Sequence, residues 1–335
     1  MNKLIIFDNK ECKKYRDTFG NTDVLFTEYE TPMIRKVRNF RIIGSFLYHI
    51  LMWKVSYDYA NEVFKKNYEK IICINPLVGI FLGLKNKKKS TSIIFSGFLF
   101  EPKENKLYYD LRKKIVELSL ANISEVIVYS SKEVRYYQSI FPKYKEKFKF
   151  IHYGMDYDDS GVYNGDLPKD YIFSGGGSNR DYSTLIRAFE KAKIDSKLVI
   201  ASQPWKVPYT TDERIRVLSD VVVENFGDVM KHSKILILSL KDTDISAGHM
   251  VMLQAMKLGV PIIVNDIPAV RDYVDDSIVT FYESGNIDEL ASIIENYDTD
   301  IDKIDKARSV YNTKYTLKSL IERLLKDYSW HNEGE

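Results

Sequence analysis

The chain is poor in cysteine. Cys12 and Cys73 are its two cysteines among 335 residues, and neither belongs to a CxxC pair. That excludes a disulfide framework and a structural zinc site, and it suits a reducing compartment. Long apolar runs are also missing. The longest near the N-terminus, Ile42–Trp53 (IIGSFLYHILMW), is roughly 12 residues, where a bilayer span takes about 20. MNKLIIFDNK runs straight into a strand-like segment without a signal-peptide pattern, so a cytoplasmic location is expected. No G-x-G-x-x-G fingerprint, no internal repeat and no nucleic-acid reader motif is present, so neither a dinucleotide cofactor nor a nucleic-acid partner is expected. An overall charge of one sign is lacking too, the net value being +2.

That near-neutrality hides an asymmetry. Residues 1–160 carry 28 Lys/Arg against 19 Asp/Glu, a charge of +9, and the remainder carries −7. A basic half joined to an acidic half indicates two domains with different partners. Both halves alternate short apolar runs with helical patterns. In the first, strands are expected at 4–7, 24–27, 70–74, 92–95, 126–129 and 148–152, with helices over 33–66, 104–121 and 132–140. The segment 153–169, rich in Gly, Asp, Asn and Tyr, reads as a linker. In the second half, strands are expected at 171–174, 198–201, 221–224, 235–240, 261–264 and 278–281. Helices are expected near 181–193, 228–232, 248–258, 268–274, 287–297 and 302–328. Such alternation predicts α/β domains with doubly wound parallel sheets, the first over 1–155 and the second over 165–310.

The most informative stretch is SAGHMVMLQAMKLGVP, from Ser246 to Pro261. An apolar strand precedes it, and small residues open an amphipathic helix that stops at Gly259. The first turn, Ser246-Ala247-Gly248-His249-Met250, leaves backbone N–H groups bare at the positive end of the helix, and Gly248 offers no side chain to block a phosphate. A second glycine-rich turn, Gly175-Gly176-Gly177, follows the strand at 171–174 and leads to Arg180, whose planar fork suits phosphate oxygens.

Taken together, DYIFSGGGSNRDYSTLIRAFEKA and KILILSL…SAGHMVMLQAMKLGVPIIVNDIPAVRDYV resemble the donor-binding domain of GT-B glycosyltransferases, family 4 in particular. ANISEVIVYSSKEVRYYQSIFPKYKEKFKFIHYGMD resembles the last part of that family's acceptor domain. The resemblance implies a GT-B fold, two Rossmann-like domains facing across a cleft, with a C-terminal helix (311–330) packing back on the first domain. It implies transfer of a sugar from a UDP-linked nucleotide-sugar donor to a hydroxyl of a glycan or lipid-linked glycan, in cell-surface or capsular polysaccharide assembly, without a catalytic metal or a cofactor.

The family's two donor-domain glutamates, eight positions apart, correspond here to Ser246 and Gln254. The resemblance places Gln254 at the nucleotide ribose, where an amide still accepts or donates a hydrogen bond. It places Phe226 and Gly227 by the base and Arg180 by the donor phosphates; from the residues themselves, Gly175–Gly177 permit close backbone approach of the donor, and Asp244, at the mouth of the strand 235–240, is a candidate to bond donor sugar hydroxyls. His249 is expected to donate to a phosphate or lie beside that sugar. Ser96, Gly97 and Phe98 are expected on the acceptor side, with Glu101 as the general base of an inverting reaction. The lost glutamates leave two further classes open: a catalytically silent nucleotide-sugar-binding subunit, and a sugar-nucleotide epimerase on the same fold. Basic residues in 35–54 and 85–89, beside Tyr48 and Trp53, suggest docking on an anionic membrane face, hence a peripheral membrane location.

Overall fold

A computed structural model describes residues 2–8, 10–20, 22–27 and 44–327. The chain divides into two compact units, residues 1–129 with 133–151, and residues 130–132 with 152–335.

The first unit is built on six parallel strands: β1 (Lys3–Phe7), β2 (Asp23–Phe26), β3 (Lys70–Ile74), β4 (Ser92–Ser96), β5 (Glu125–Val128) and β6 (Phe148–Phe150). Their order is β2-β1-β3-β4-β5-β6. The apolar runs of β1, β3, β4 and β5 are almost wholly buried, as a sheet covered on both faces requires. Helices α1 (Gly44–Lys65), α2 (Pro76–Lys85), α3 (Lys106–Leu120) and α4 (Ser131–Ile140) connect the strands. The sequence pattern missed α2, although its start is written plainly. Asn75 caps it by accepting from the N–H groups of Leu77 and Val78, each at 3.1 Å, and Pro76 sits where a missing N–H costs nothing. The expected helix over 33–66 is seen from Gly44 onward; 33–43 lie outside the described residues.

The second unit repeats the plan with β7 (Tyr171–Gly175), β8 (Lys197–Ala201), β9 (Ile215–Leu218), β10 (Ile235–Leu238), β11 (Ile262–Asp266) and β12 (Thr280–Glu283). The order is β12-β11-β10-β7-β8-β9, all parallel. Its helices are α5 (Tyr182–Lys191), α6 (Val223–Lys231), α7 (His249–Leu258), the short α8 (Pro268–Arg271), α9 (Ile287–Glu295), α10 (Ile301–Lys314) and α11 (Leu317–Asp327). Each unit has its own apolar core, one around Ile6, Phe95, Phe98 and Tyr137, the other around Leu185, Phe189, Ile237 and Leu290.

Three expectations change. The strand placed at 221–224 is the start of α6; the third strand of this half is β9, six residues earlier. Val222 and Val223 are 52% and 84% exposed, the reverse of a buried strand, and the Asn225 side chain turns back onto the Val222 N–H at 2.9 Å to open the helix. The single helix expected over 302–328 is two, because Tyr315 leaves helical geometry and Thr316 accepts from the Ser319 N–H to start the next. The C-terminal helix groups with the second unit rather than the first, tied there by the Asp156 carboxylate on the Leu317 N–H and by Arg323 on the His152 carbonyl.

Candidate functional site

In an open parallel sheet, ligands bind outside the carboxyl ends of the strands where the strand order reverses. In the second unit that point lies between β7 and β10, the two strands whose following loops the sequence singled out. Asn179 joins these loops. Its backbone lies in the left-handed region (φ 53°), and its amide donates to Thr243 Oγ1 at 2.9 Å and to the Ile245 carbonyl at 3.1 Å. From below, the buried Asn265 braces the end of β10 by bonding both backbone polar groups of Leu240. Neither asparagine was anticipated from sequence; an Asn in a Gly-rich turn was the one available signal.

The glycine-rich loop is held by cations and hydroxyls on its carbonyls. Arg180 Nε donates to Gly175 O and Nη1 to Ser178 O, both at 2.8 Å; Tyr182 donates to Gly176 O at 2.6 Å, and Lys206 Nζ to Gly177 O at 3.0 Å. Gly176 has φ 106°, and a Cβ there would lie 2.9 Å from the Arg180 guanidinium carbon. Desolvation by burial lowers the Arg180 pKa, but guanidinium remains charged at any working pH. Lys206, unforeseen from sequence, supplies a second positive charge beside the same turn.

Gly248 is the N-cap of α7 with φ 88°, and as a glycine it brings no side-chain cap of its own. The reason for glycine differs from the expected one. Its missing Cβ would point at Leu240, 3.0 Å away, so backbone conformation and strand packing demand it whatever binds. Ser246 and Ala247 lead into the turn partly buried, while Met250 is half exposed and its carbonyl accepts from the Tyr157 hydroxyl at 2.7 Å. Asp244 is exposed in the same loop.

His249 is not a surface imidazole. It is 8% exposed, stacks on Tyr273 with ring centroids 4.3 Å apart, and places Nε2 3.1 Å from the Ala269 carbonyl. A carbonyl only accepts, so Nε2 carries the proton and Nδ1 is left as an acceptor. Burial pushes the pKa down to about 4, so the ring is neutral and has no proton to offer a phosphate oxygen.

Phe226, partly buried, packs edge-on against Phe173 at 5.3 Å and lies 2.6 Å from where a Gly175 Cβ would be. Gly227 faces the side chains of Asp159 and Gln254. Gln254 Nε2 donates to Asp159 Oδ1 at 2.9 Å, and Lys257 Nζ bonds Asp159 Oδ2 at 2.5 Å.

In the first unit the strand order reverses between β1 and β3. Asp8 follows β1 there, unremarked in the sequence reading. It is open to solvent at one edge, yet desolvation pushes its carboxyl above the usual range, and its charge reaches the Cys73 thiol and the Tyr129 phenol. Ser96 is buried with its hydroxyl 3.2 Å from Tyr129 Oη, and Gly97 turns the chain at φ 80°. Phe98, expected to face an acceptor, is instead 4% exposed within an aromatic cluster of Phe95, Tyr137, Phe141 and Phe148. Glu101 is an exposed loop carboxylate 3.3 Å from Lys103, an environment that does nothing to poise a base. Among the described residues no three His, Cys, Asp or Glu side chains gather as a metal site, and no helix is long and apolar enough to cross a membrane.

Residues 168–300 match the family described as glycosyl transferases group 1. No curated protein sequence matches the chain. Among solved structures, HepE from Anabaena in complex with UDP aligns over 99% of this chain and 100% of its own, with a TM-score of 0.65 at 12% identity. A glycosyltransferase from Rickettsia africae aligns over 100% and 99%, with a TM-score of 0.65 at 14% identity. Sucrose-phosphate synthase from Thermosynechococcus elongatus aligns over 98% and 99%, with a TM-score of 0.67 at 13% identity. At such identities the likeness is one of fold, and it extends over both units. Residues 168–300 thus carry the glycosyl transferases group 1 domain, within a chain that shares the two-domain fold of these structures.

Proposed function

We propose that the second unit binds a nucleoside diphosphate sugar, UDP-linked, and that the protein transfers the sugar to a hydroxyl of a glycan or lipid-linked glycan taken by the first unit. One observation carries the donor assignment: the glycine-rich turn and the glycine-headed N-terminus of α7 meet at the strand-order reversal, with Arg180 and Lys206 bonded onto that turn. Backbone N–H groups, a helix's positive end and two fixed cations are what a leaving diphosphate needs as negative charge builds on it. The structures of HepE with UDP, and with UDP-glucose, make the uridine nucleotide the first to test. Because the Nε2–H of His249 is committed to the Ala269 carbonyl, charge stabilisation falls to the amides, Arg180 and Lys206. Nothing in this scheme requires a metal or a cofactor.

Assembly of a cell-surface or capsular polysaccharide at a membrane face is the setting we favour. Leu47, Ile50 and Tyr57 lie exposed on α1, Lys85 sits 4.3 Å over the Tyr57 ring, and Lys87, Lys88 and Lys89 are exposed beside it. This arrangement suits an anionic lipid surface. The basic residues Arg35, Lys36, Arg38 and Arg41 lie outside the described residues.

The test is a thermal-shift panel of nucleotides and nucleotide sugars, followed by product analysis. A ligand that binds the folded state raises the melting temperature. UDP and one UDP-sugar are expected to do so, and transfer is expected once an acceptor glycan is supplied. UDP binding without any turnover would instead support a silent binding subunit, and conversion of the sugar nucleotide without acceptor would indicate an epimerase.

A further inference from the structure

Between successive strands of the second sheet the chain passes through an α-helix in every case but one. From β8 to β9 it runs through residues 202–214 with only the three-residue turn Pro204–Lys206. Two large rings stand in solvent on this stretch: Trp205 is 78% exposed and Tyr209 92%. The backbone that carries them is braced. Each ring follows a proline, Pro204 or Pro208, whose φ is locked. The Lys206 N–H donates to the Gln203 carbonyl at 2.9 Å and the Val207 N–H to the Pro204 carbonyl at 3.2 Å. Lys206 Nζ reaches Gly177 O, and a Cβ at 177 would lie 2.6 Å from that nitrogen. Past the second ring, Thr210 Oγ1 donates to Glu190 on α5. Trp205 is therefore displayed beside the candidate donor turn, next to a residue bonded onto it.

Aromatic rings held out of a core mark a contact surface, and the chemistry around them selects the occupant. Residues 202–211, SQPWKVPYTT, carry a single charge, Lys206, and it is engaged. An anionic lipid face or a nucleic acid is held by clustered basic residues, which this stretch lacks. Two rings bury at most about 500 Å², short of the roughly 800 Å² that a stable protein partner covers on each side. A carbohydrate fits. One face of a pyranose presents C–H bonds with partial positive charge, and an indole or phenol ring presents a negative π face, so the two stack without any ion. Hydroxyls at the sugar's edge then meet the indole N–H, the phenol hydroxyl and the exposed side chains of Gln203 and Thr211.

We propose that Trp205 and Tyr209 form a glycan-binding platform on the second unit, separate from the contacts that Arg180 and the first turn of α7 offer a donor, on which sugar rings of an oligosaccharide stack. The choice of a glycan as occupant rests on the transfer reading given above. The platform gives the protein a hold on a glycan that does not depend on the reacting hydroxyl.

The full chain and its variants are applied to an array of bacterial capsular polysaccharides and of α- and β-linked gluco-oligosaccharides, and the strongest ligand is titrated by calorimetry beside UDP. The intact protein is expected to retain at least one glycan. Trp205→Ala should weaken that glycan about tenfold and Tyr209→Ala about threefold, the range of a lost aromatic contact. Trp205→Tyr should keep most of the affinity, and UDP affinity should stay within about twofold throughout. Both side chains lie at the surface, so unchanged melting temperatures are expected and confirm that the variants fold. Retention of no glycan by the intact protein overturns the proposal, as does equal glycan affinity in Trp205→Ala. Loss of UDP affinity in Trp205→Ala overturns it by making the indole a stack for the base, and a dimer that Trp205→Ala abolishes overturns it by placing the ring against a second copy. Glycan binding that Trp205→Ala removes, in a protein that binds no UDP, upholds the platform and overturns the nucleotide reading alone.

Discussion

His249 illustrates how a residue's chemistry depends on what closes over it. In sequence it stands in the first turn of a helix, a place for an exposed imidazole near a phosphate. Tertiary packing lays it on Tyr273 and turns its Nε2–H to the Ala269 carbonyl. Its folded pKa near 4 lies below the unfolded value of about 6.5. Between these values the unfolded chain binds more protons, so stability falls as pH drops from about 6.5 to about 4 and is fully present above that window. The shift corresponds to about 3 kcal/mol. His249→Phe, which keeps the ring against Tyr273, should flatten the dependence of melting temperature on pH across that interval, and an unchanged slope would count against the burial argument. At the same scale, Arg180→Ala removes both a charge and two ties on the glycine-rich turn. UDP affinity should fall about tenfold or more while that of uridine, which lacks phosphate, changes little; titration of both ligands checks it.

At the scale of elements, α2 and α3 pack unusually close. Gly83 leaves no room for a Cβ, which would lie 2.6 Å from the Ser119 carbonyl oxygen, and the contact is stitched by the Ser119 hydroxyl on the Ile80 carbonyl and the Asn122 amide on the Gly83 carbonyl. Backbone cannot yield as a flexible side chain does, so Gly83→Ala should cost about 1–3 kcal/mol by overpacking, despite the better helix propensity of alanine. Denaturant unfolding measures that loss. The same scale shows where pattern reading fails. Val221-Val222-Val223 has strand composition, yet its side chains are largely exposed and Asn225 turns it into a helix start. β9, with its alternating Ile215-Arg216-Val217-Leu218, lies at the sheet edge, where periodicity is weak and a charged residue is tolerated.

For the whole molecule, two parallel sheets with separate cores follow from the repeated alternation of apolar runs and amphipathic helices. The second unit contains the complete candidate donor site, including the linker residues Tyr157 and Asp159. Residues 152–335 expressed alone are therefore expected to fold and to bind UDP within about tenfold of the full chain, a loss of less than about 1.4 kcal/mol. Failure to fold would place essential stabilisation in the other unit. Transfer should be absent from this fragment, because the acceptor unit is missing.

The sequence by itself determined most of the buried strands and where the two loops of the site begin. Those features are local: apolar periodicity, small residues and turn chemistry act within a few positions. Only the tertiary structure decided that His249 is neutral, that Phe98 fills a core, that Phe226 packs on Phe173, that Lys206 joins Arg180, and that Asp159 bonds Gln254 from 95 positions away. Burial, protonation and the direction of an amide depend on neighbours brought together by strand order, and separation along the chain carries no record of them.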